Sequence, residues 1–219
     1  MQERAADAEW LAASLAQASG ASEPYPHWLL ATALAPRTAA AIAGLPFAPP
    51  EIADTLGKRE THNATRIFFA GENLARHRVC AEVAALFQAP AIVRQLQDLT
   101  GASLAGTSLR IEYCQDGAGF WLEPHTDIGA KLFTMLVYLS DAADAEDWGT
   151  DIYDRALTRV GRVPGGFNKG LIFIPGENTW HGVERRCFAG IRKSIIVNYV
   201  KPEWRARHEL AFPAEPVRP

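Results

Sequence analysis

Cysteine is scarce in this chain: Cys80, Cys114 and Cys187 are the only three, far apart and without a C-x-x-C pair. An odd, scattered set excludes a disulfide framework and a thiolate zinc site, and points to a reduced, cytoplasmic setting. Long apolar runs are also missing, since nowhere do 18 residues pass without a charge or a breaker. The first residues, Met-Gln-Glu-Arg-Ala-Ala-Asp-Ala-Glu, carry acids where a secretory signal would carry basic residues. Neither a membrane span nor export is therefore expected. Basic side chains do not cluster: 22 Lys and Arg stand against 25 Asp and Glu, for a net charge of −3. A nucleic-acid partner would need a basic footprint that this distribution does not offer. Internal repeats and low-complexity tracts are absent as well.

What is present describes a folded chain. Hydrophobic residues make up 48% and charged ones 21%, which excludes intrinsic disorder, and a length of 219 residues suits one domain spanning 1–219. Residues 3–18 place Ala6, Trp10, Leu11 and Leu15 at helical spacing, ended by Gly20. Pro24 to Leu30 reads as an extended segment. Pro36 then sits where a helix start tolerates proline, and an alanine-rich helix runs to about Gly44. Apolar residues recur at three to four from Glu72 to Phe87. A further helix starts at Pro90, turns Ile92, Val93, Leu96 and Leu99 inward and stops at Gly101. Residues 1–100 are thus expected to be mostly helical.

Beyond Gly101 the period changes to two. Short apolar or alternating runs at 107–115, 119–125, 132–139, 150–154, 170–174, 181–185 and 191–200 are candidate strands, broken by Gly, Asn and Asp. Strands this close, with no helix between them, pair antiparallel as a sandwich or jelly roll. The expected class is α+β, mainly β, with residues 154–168 as a long irregular loop and 204–219 as a terminal tail of mixed charge.

One constellation carries chemistry. In Trp121-Leu-Glu-Pro-His125-Thr-Asp127, strand alternation turns His125 and Asp127 to the same side. A His-x-Asp pair alone equally describes a surface hydrogen-bonding pair. After the buried-strand pattern Gly170-Leu-Ile-Phe-Ile comes Thr179-Trp180-His181-Gly182, which adds a second histidine at the start of another strand. Two histidines and one carboxylate are the facial set that holds octahedral Fe(II) and leaves three positions open. Farther on, Arg192 and Ser194 share a face of the strand 191–200. An inward arginine in a β core needs a carboxylate to meet it, and a guanidinium beside a hydroxyl suits one end of a dicarboxylate.

With these residues assembled, the sequence resembles the Fe(II)/2-oxoglutarate-dependent dioxygenase superfamily, in particular its prolyl-hydroxylase-like branch. The resemblance rests on His125-x-Asp127, His181 and Arg192-x-Ser194, supported by Thr134 to Ser140 and Trp148-Gly-Thr-Asp-Ile-Tyr153. It covers about Leu109 to Val200, with a weaker match at Pro24 to Leu30. Thr150 stands where the family usually has a second glycine. The resemblance implies a double-stranded β-helix (jelly roll) core over 101–203, flanked by the N-terminal helices. It implies Fe(II) held by His125, Asp127 and His181, 2-oxoglutarate anchored by Arg192 and Ser194 with Tyr138 or Tyr113, and O2 as the other cosubstrate. The implied reaction hydroxylates an unactivated carbon with release of succinate and carbon dioxide. Asp127 disfavours halogenation, because family halogenases replace this carboxylate with a small residue.

Several positions remain open at this level. Tyr138 either lines the cosubstrate pocket or fills the core with its hydroxyl satisfied locally, and Tyr113 is pocket or core alike. Asn63 and Arg66, before the aromatic pair Phe68-Phe69, are candidate substrate contacts or a solvated loop, with Arg66 suited to an anionic group. Asn198 is an inward polar residue or an edge group. His27, His77 and His208 have no partner at ligand spacing. The expected substrate is a small molecule such as an amino acid, a conjugate or a natural-product intermediate, turned over by a monomer or homodimer. The alternatives are a hydroxylase of peptide or protein side chains, and a sensor module that binds iron and 2-oxoglutarate without turnover.

Overall fold

The computed structural model describes residues 2–51, 54–60 and 65–219. Five helices lead: α1 (Gln2–Ala16), α2 (Pro36–Ala43), α3 (Gly71–Arg76), α4 (Arg78–Gln88) and α5 (Pro90–Thr100). Their ends follow local chemistry. Pro36 and Pro90 occupy first turns, where a missing N–H costs nothing. Proline also disfavours helical geometry in the residue before it, so Ala89 is extended and α4 ends at Gln88. Gly101 closes α5 in the left-handed region at φ 74°. The helix expected over 72–87 is split at His77, which is extended and packs its ring edge-on against Phe47. No single helix among the described residues is long and apolar enough to cross a membrane, although α4 and α5, bent by 58°, would pass that test as a pair. Both bury one apolar face in the core.

Among the described residues of the first hundred lie three strands, β1 (Ser19–Ala21), β2 (His27–Leu30) and β3 (Ile67–Phe68). Eight follow: β4 (Ser108–Asp116), β5 (Leu122–His125), β6 (Lys131–Tyr138), β7 (Asp151–Tyr153), β8 (Arg159–Arg162), β9 (Gly170–Phe173), β10 (His181–Val183) and β11 (Arg192–Val200). Among the described residues they form a larger sheet in the order β1-β2-β9-β6-β11-β4-β3 and a smaller one in the order β5-β10-β7-β8, antiparallel throughout. From β4 onward nearly every connection carries the chain from one sheet to the other. β8, Arg-Val-Gly-Arg, lies inside the segment expected to be irregular. It has no apolar alternation to announce it, and its pairing with β7 is what makes it a strand.

The larger sheet separates two environments. Odd-numbered residues of its central strands, including Ile111, Tyr113, Met135, Val137, Ile195 and Val197, pack against Val83, Phe87, Ile92 and Leu96 of the helices. Each large side chain removed from water here contributes about 1.5–3 kcal/mol. Even-numbered residues of β6 and odd-numbered residues of β9 face the smaller sheet, where Leu136, Tyr138, Leu171 and Phe173 meet Ile152 and Val163. Between the sheets the packing is incomplete, and polar residues line the gap. The tail lies along β4, with Ala211 and Val217 donating backbone hydrogen bonds to Leu109 and Thr107.

Candidate active site

The site is built on the pairing of β5 with β10, which sets His181 directly opposite His125. Gly182 permits the approach, because a Cβ there would lie 2.8 Å from the carbonyl oxygen of Leu122. The imidazole centroids are 4.4 Å apart, and the Phe173 ring supports His181 from the larger sheet at 4.7 Å. Each ring is held by the carbonyl two residues before it: Nδ1 of His125 lies 2.8 Å from Glu123 O, and Nδ1 of His181 lies 2.9 Å from Thr179 O. A carbonyl only accepts, so Nδ1–H is the donor in each ring, and the lone pair of the neutral imidazole resides on Nε2. Burial, reinforced by His125, pushes the His181 pKa down to about 4 against the opposing pull of Asp127, so this ring is neutral at pH 7.

Asp127, two residues past His125, completes the donor types. Its Oδ1 accepts from Lys131 Nζ at 2.5 Å and its Oδ2 from the Thr134 hydroxyl at 2.8 Å. Burial pushes this carboxyl up, but Lys131, His181 and Thr134 outweigh it and hold Asp127 ionised well below the usual carboxylate range. Thr134 is in turn bonded by Asn198 Nδ2 at 2.9 Å, which places Asn198 inside rather than at a sheet edge. Among the described residues no group of three His, Cys, Asp or Glu side chains is spaced to hold a metal ion. The two histidines are arranged for it, whereas the Asp127 oxygens are turned onto Lys131 and Thr134. The donor set nonetheless suits Fe(II) chemically: two imidazoles that each turn Nδ1 to a backbone carbonyl and keep Nε2 for a metal, and one ionised carboxylate.

On the opposite wall, Arg192 and Ser194 share the inward face of β11. Arg192 donates Nη1 to Asp116 at 2.5 Å and Nε to the Trp148 carbonyl at 2.5 Å. The guanidinium thus already has a carboxylate partner in the protein, which the sequence did not suggest. Tyr138 lies 5.6 Å beneath it, ring centroid to guanidinium carbon, with its hydroxyl 2.7 Å from Thr150 Oγ1. The departure at Thr150 is therefore structural, a hydroxyl that satisfies a buried tyrosine. Ser194 Oγ is buried with no hydrogen-bond partner among the described residues, a condition that a ligand acceptor would relieve. Tyr113 is not brought to this wall: it faces the helices, its ring 5.9 Å from Phe47, and its hydroxyl is also unpartnered.

Between the walls lies a chamber of about 180 Å³ whose lining includes His125, Asp127, His181, Arg192 and Ser194. Arg66 reaches it as well, but its fork is taken by Glu112, at 2.9 Å from Nε and 2.6 Å from Nη2. Asn63 lies outside the described residues. Sequence reasoning missed the charged row Arg110, Glu112 and Asp116 on the inward face of β4. All three are buried, and Glu112 is held ionised because Arg66, Arg110 and Arg59 outweigh its burial. Charges at alternate positions normally mark a solvent face, so only their burial reveals them. Lys131 and Thr134 were missed for the same reason: nothing in their spacing points to Asp127. His27 is buried and bonded locally to the Tyr25 carbonyl, as expected of a histidine without a ligand partner.

No protein-family model matches the chain, and no curated protein is similar in sequence. Solved structures are similar in shape. A prolyl-4-hydroxylase from Pseudomonas putida matches with a TM-score of 0.55 at 13% identity, over 89% of this chain and 94% of that one. A prolyl hydroxylase from Trichoplax adhaerens, solved with a peptide fragment of the hypoxia inducible factor oxygen degradation domain, matches with a TM-score of 0.56 at 13% identity, over 94% of both chains. SnoN, a non-haem α-ketoglutarate-dependent epimerase from nogalamycin biosynthesis, matches with a TM-score of 0.52 at 16% identity, over 89% of this chain and 83% of that one. The chain shares the overall fold of these three structures.

Proposed function

We propose that this protein is an Fe(II)/2-oxoglutarate-dependent dioxygenase that hydroxylates an unactivated carbon of a small metabolite, on a core of eight strands wound as a double-stranded β-helix. The observation that carries the reading is the register of His181 opposite His125, with both Nδ1 atoms committed to backbone carbonyls. That arrangement leaves two Nε2 lone pairs on one side of the smaller sheet, beside an ionised Asp127. His125, His181 and Asp127 would hold the metal, with Asp127 exchanging the Lys131 ammonium for it. When bound, Fe(II) with 2-oxoglutarate and O2 supplies the oxidising power, and succinate and carbon dioxide leave.

The chain's own residues bind, orient and shield. Arg192 Nη2, which carries no hydrogen bond among the described residues, and the unpartnered Ser194 hydroxyl would receive the far carboxylate of 2-oxoglutarate. Asp116 and the Trp148 carbonyl hold the guanidinium so that it need not reorganise on binding. Tyr138, braced by Thr150, closes the wall beneath it. Phe173, Leu136 and Ile152 keep that end of the sandwich dry. A chamber of about 180 Å³ supports a small substrate. The second reading, hydroxylation of a peptide or protein side chain, has in its favour that two similar structures are prolyl hydroxylases.

The test is anaerobic titration of metal-free protein with Fe(II) and 2-oxoglutarate, followed by visible absorption. The expected result is the weak charge-transfer band of bidentate keto-acid chelation, lost in His181→Ala. Metal binding without that band would overturn the reading.

A further inference from the structure

We propose that the substrate of this chamber carries a carboxylate and that Arg59 is the residue that binds it. The proposal rests on the oxygenase reading and names its substrate class. Arg59 belongs to the segment 54–60, which is pinned across the strand that carries His125. Glu123 N donates to Gly57 O at 3.0 Å, Trp121 Nε1 to Asp54 Oδ1 at 2.7 Å, and Trp121 N to Thr55 Oγ1 at 3.2 Å. The anchor holds Arg59 inward, its guanidinium carbon 5.1 Å above the Phe120 ring and its side chain 22% exposed.

Three other guanidiniums surround it, and each is matched. Arg66 forks onto Glu112, Arg110 meets Glu112 at 2.9 Å and Glu209 at 2.6 Å, and Arg192 meets Asp116 at 2.5 Å. Of the four, Arg59 alone has no short ion pair among the described residues: Nη1 is 3.8 Å from Glu112, 3.7 Å from Asp116 and 3.5 Å from Cys114 Sγ. Both carboxylate distances exceed hydrogen-bond range. Its Nε and Nη2 make no hydrogen bond among the described residues. In this cluster four guanidiniums share three carboxylates, Glu112, Asp116 and Glu209, and Arg59 is the guanidinium left without a hydrogen-bonded carboxylate. A partly buried charge without a hydrogen-bonded counterion is poorly compensated, and a planar fork whose Nε and Nη2 are unused fits a carboxylate. A phosphate fits less well, since its second negative charge would face Glu112 and Asp116, which lie 3.8 and 3.7 Å from Arg59.

A carboxylate could come from the substrate or from 2-oxoglutarate itself, and the experiment separates them. Arg59→Met and Arg59→Lys are compared with the wild type by thermal melting. Butyrate and benzoate are titrated against butyramide and benzamide, first alone and then with saturating Mn(II) and 2-oxoglutarate. The expected result is that the acids raise the melting temperature of the wild type and their amides do not. Arg59→Met should bind the acids at least tenfold more weakly, with Arg59→Lys between. Without ligand, Arg59→Met should melt no lower than the wild type, because Glu112 and Asp116 keep their other arginines. A lower melting temperature in the ligand-free variant would make Arg59 a structural brace and overturn the proposal. Equal responses to acids and amides, or none to either, would overturn it also. A tenfold loss of 2-oxoglutarate affinity in Arg59→Met would assign the residue to the cosubstrate instead. If the wild type gave no charge-transfer band, the oxygenase reading would fall, while the response to acids in the absence of metal would still judge Arg59.

Discussion

Replacing Arg192 by methionine perturbs two things at once, and their separation tests how this end of the chamber is held. Arg192 and Asp116 are each 3% exposed in their side chains, and the distance between them is 2.5 Å. Methionine keeps the length of the side chain but leaves Asp116 with Arg59 at 3.7 Å as its remaining cation. Removing one partner of a buried pair costs about 3–5 kcal/mol, because the other charge stays buried and uncompensated. The Trp148 carbonyl also loses its Nε donor, which costs about 1 kcal/mol more. For a chain of this size each kcal/mol lowers Tm by about 2–4 °C, so a fall of roughly 8–24 °C is expected in a circular dichroism melt. The double variant R192M/D116L removes both charges, and such replacements are close to neutral, so it should recover all but about 5 °C. Neither variant should show the charge-transfer band at a 2-oxoglutarate concentration that saturates the wild type. A single variant that melts within about 2 °C of the wild type, or a double variant that melts lower still, would refute the buried-pair argument.

Lys131→Met removes the ammonium that competes for Asp127, and Mn(II) should bind about fivefold more tightly by isothermal titration calorimetry, for a pair worth about 1 kcal/mol; unchanged affinity would sink the exchange. Ser194→Ala should weaken 2-oxoglutarate binding about fivefold with no loss of Tm, since its hydroxyl has no protein partner to lose; a marked drop in Tm would mean that it has one. A Cβ at Gly149 would lie 1.7 Å from the Val163 carbonyl oxygen, so Gly149→Ala should yield little soluble protein, and normal expression with an unshifted melt would show that this backbone contact is looser. Burial pushes the Cys80 and Cys114 thiols up to about 12, and Cys187 is exposed, so a thiol-reactive dye at pH 8 should label one cysteine quickly in the native protein and three after denaturation. Rapid labelling of two or more in the native state would contradict that burial.

The helices and most of the strands were legible because their signals are local. Pro36, Pro90 and Gly101 punctuate the helices, and period-two alternation marks the strands of the larger sheet. β8 was not legible, since Arg-Val-Gly-Arg acquires its conformation only by pairing with β7. Nor was the phase of β4: the same alternation puts Tyr113 on one face and Glu112 on the other, and nothing local says which face meets the helices. That phase turned Tyr113 toward the helices and an unforeseen acidic and basic row toward the smaller sheet, with Glu112 reaching the chamber.

What the sequence determined by itself is the inventory of donors, His125, Asp127, His181, Arg192 and Ser194, and the strands that carry all of them but Asp127, which lies just past the end of β5, because side-chain chemistry and backbone period are properties of short segments. Tertiary structure decided how those donors are engaged. The register of β5 against β10 brought the histidines together, the fold set Lys131 and Thr134 on Asp127 and Asp116 on Arg192, and it left Arg59 without a short ion pair. Charges separated by tens of residues find their partners only when the sheets close, and burial then makes each pairing strong or each lack of one costly.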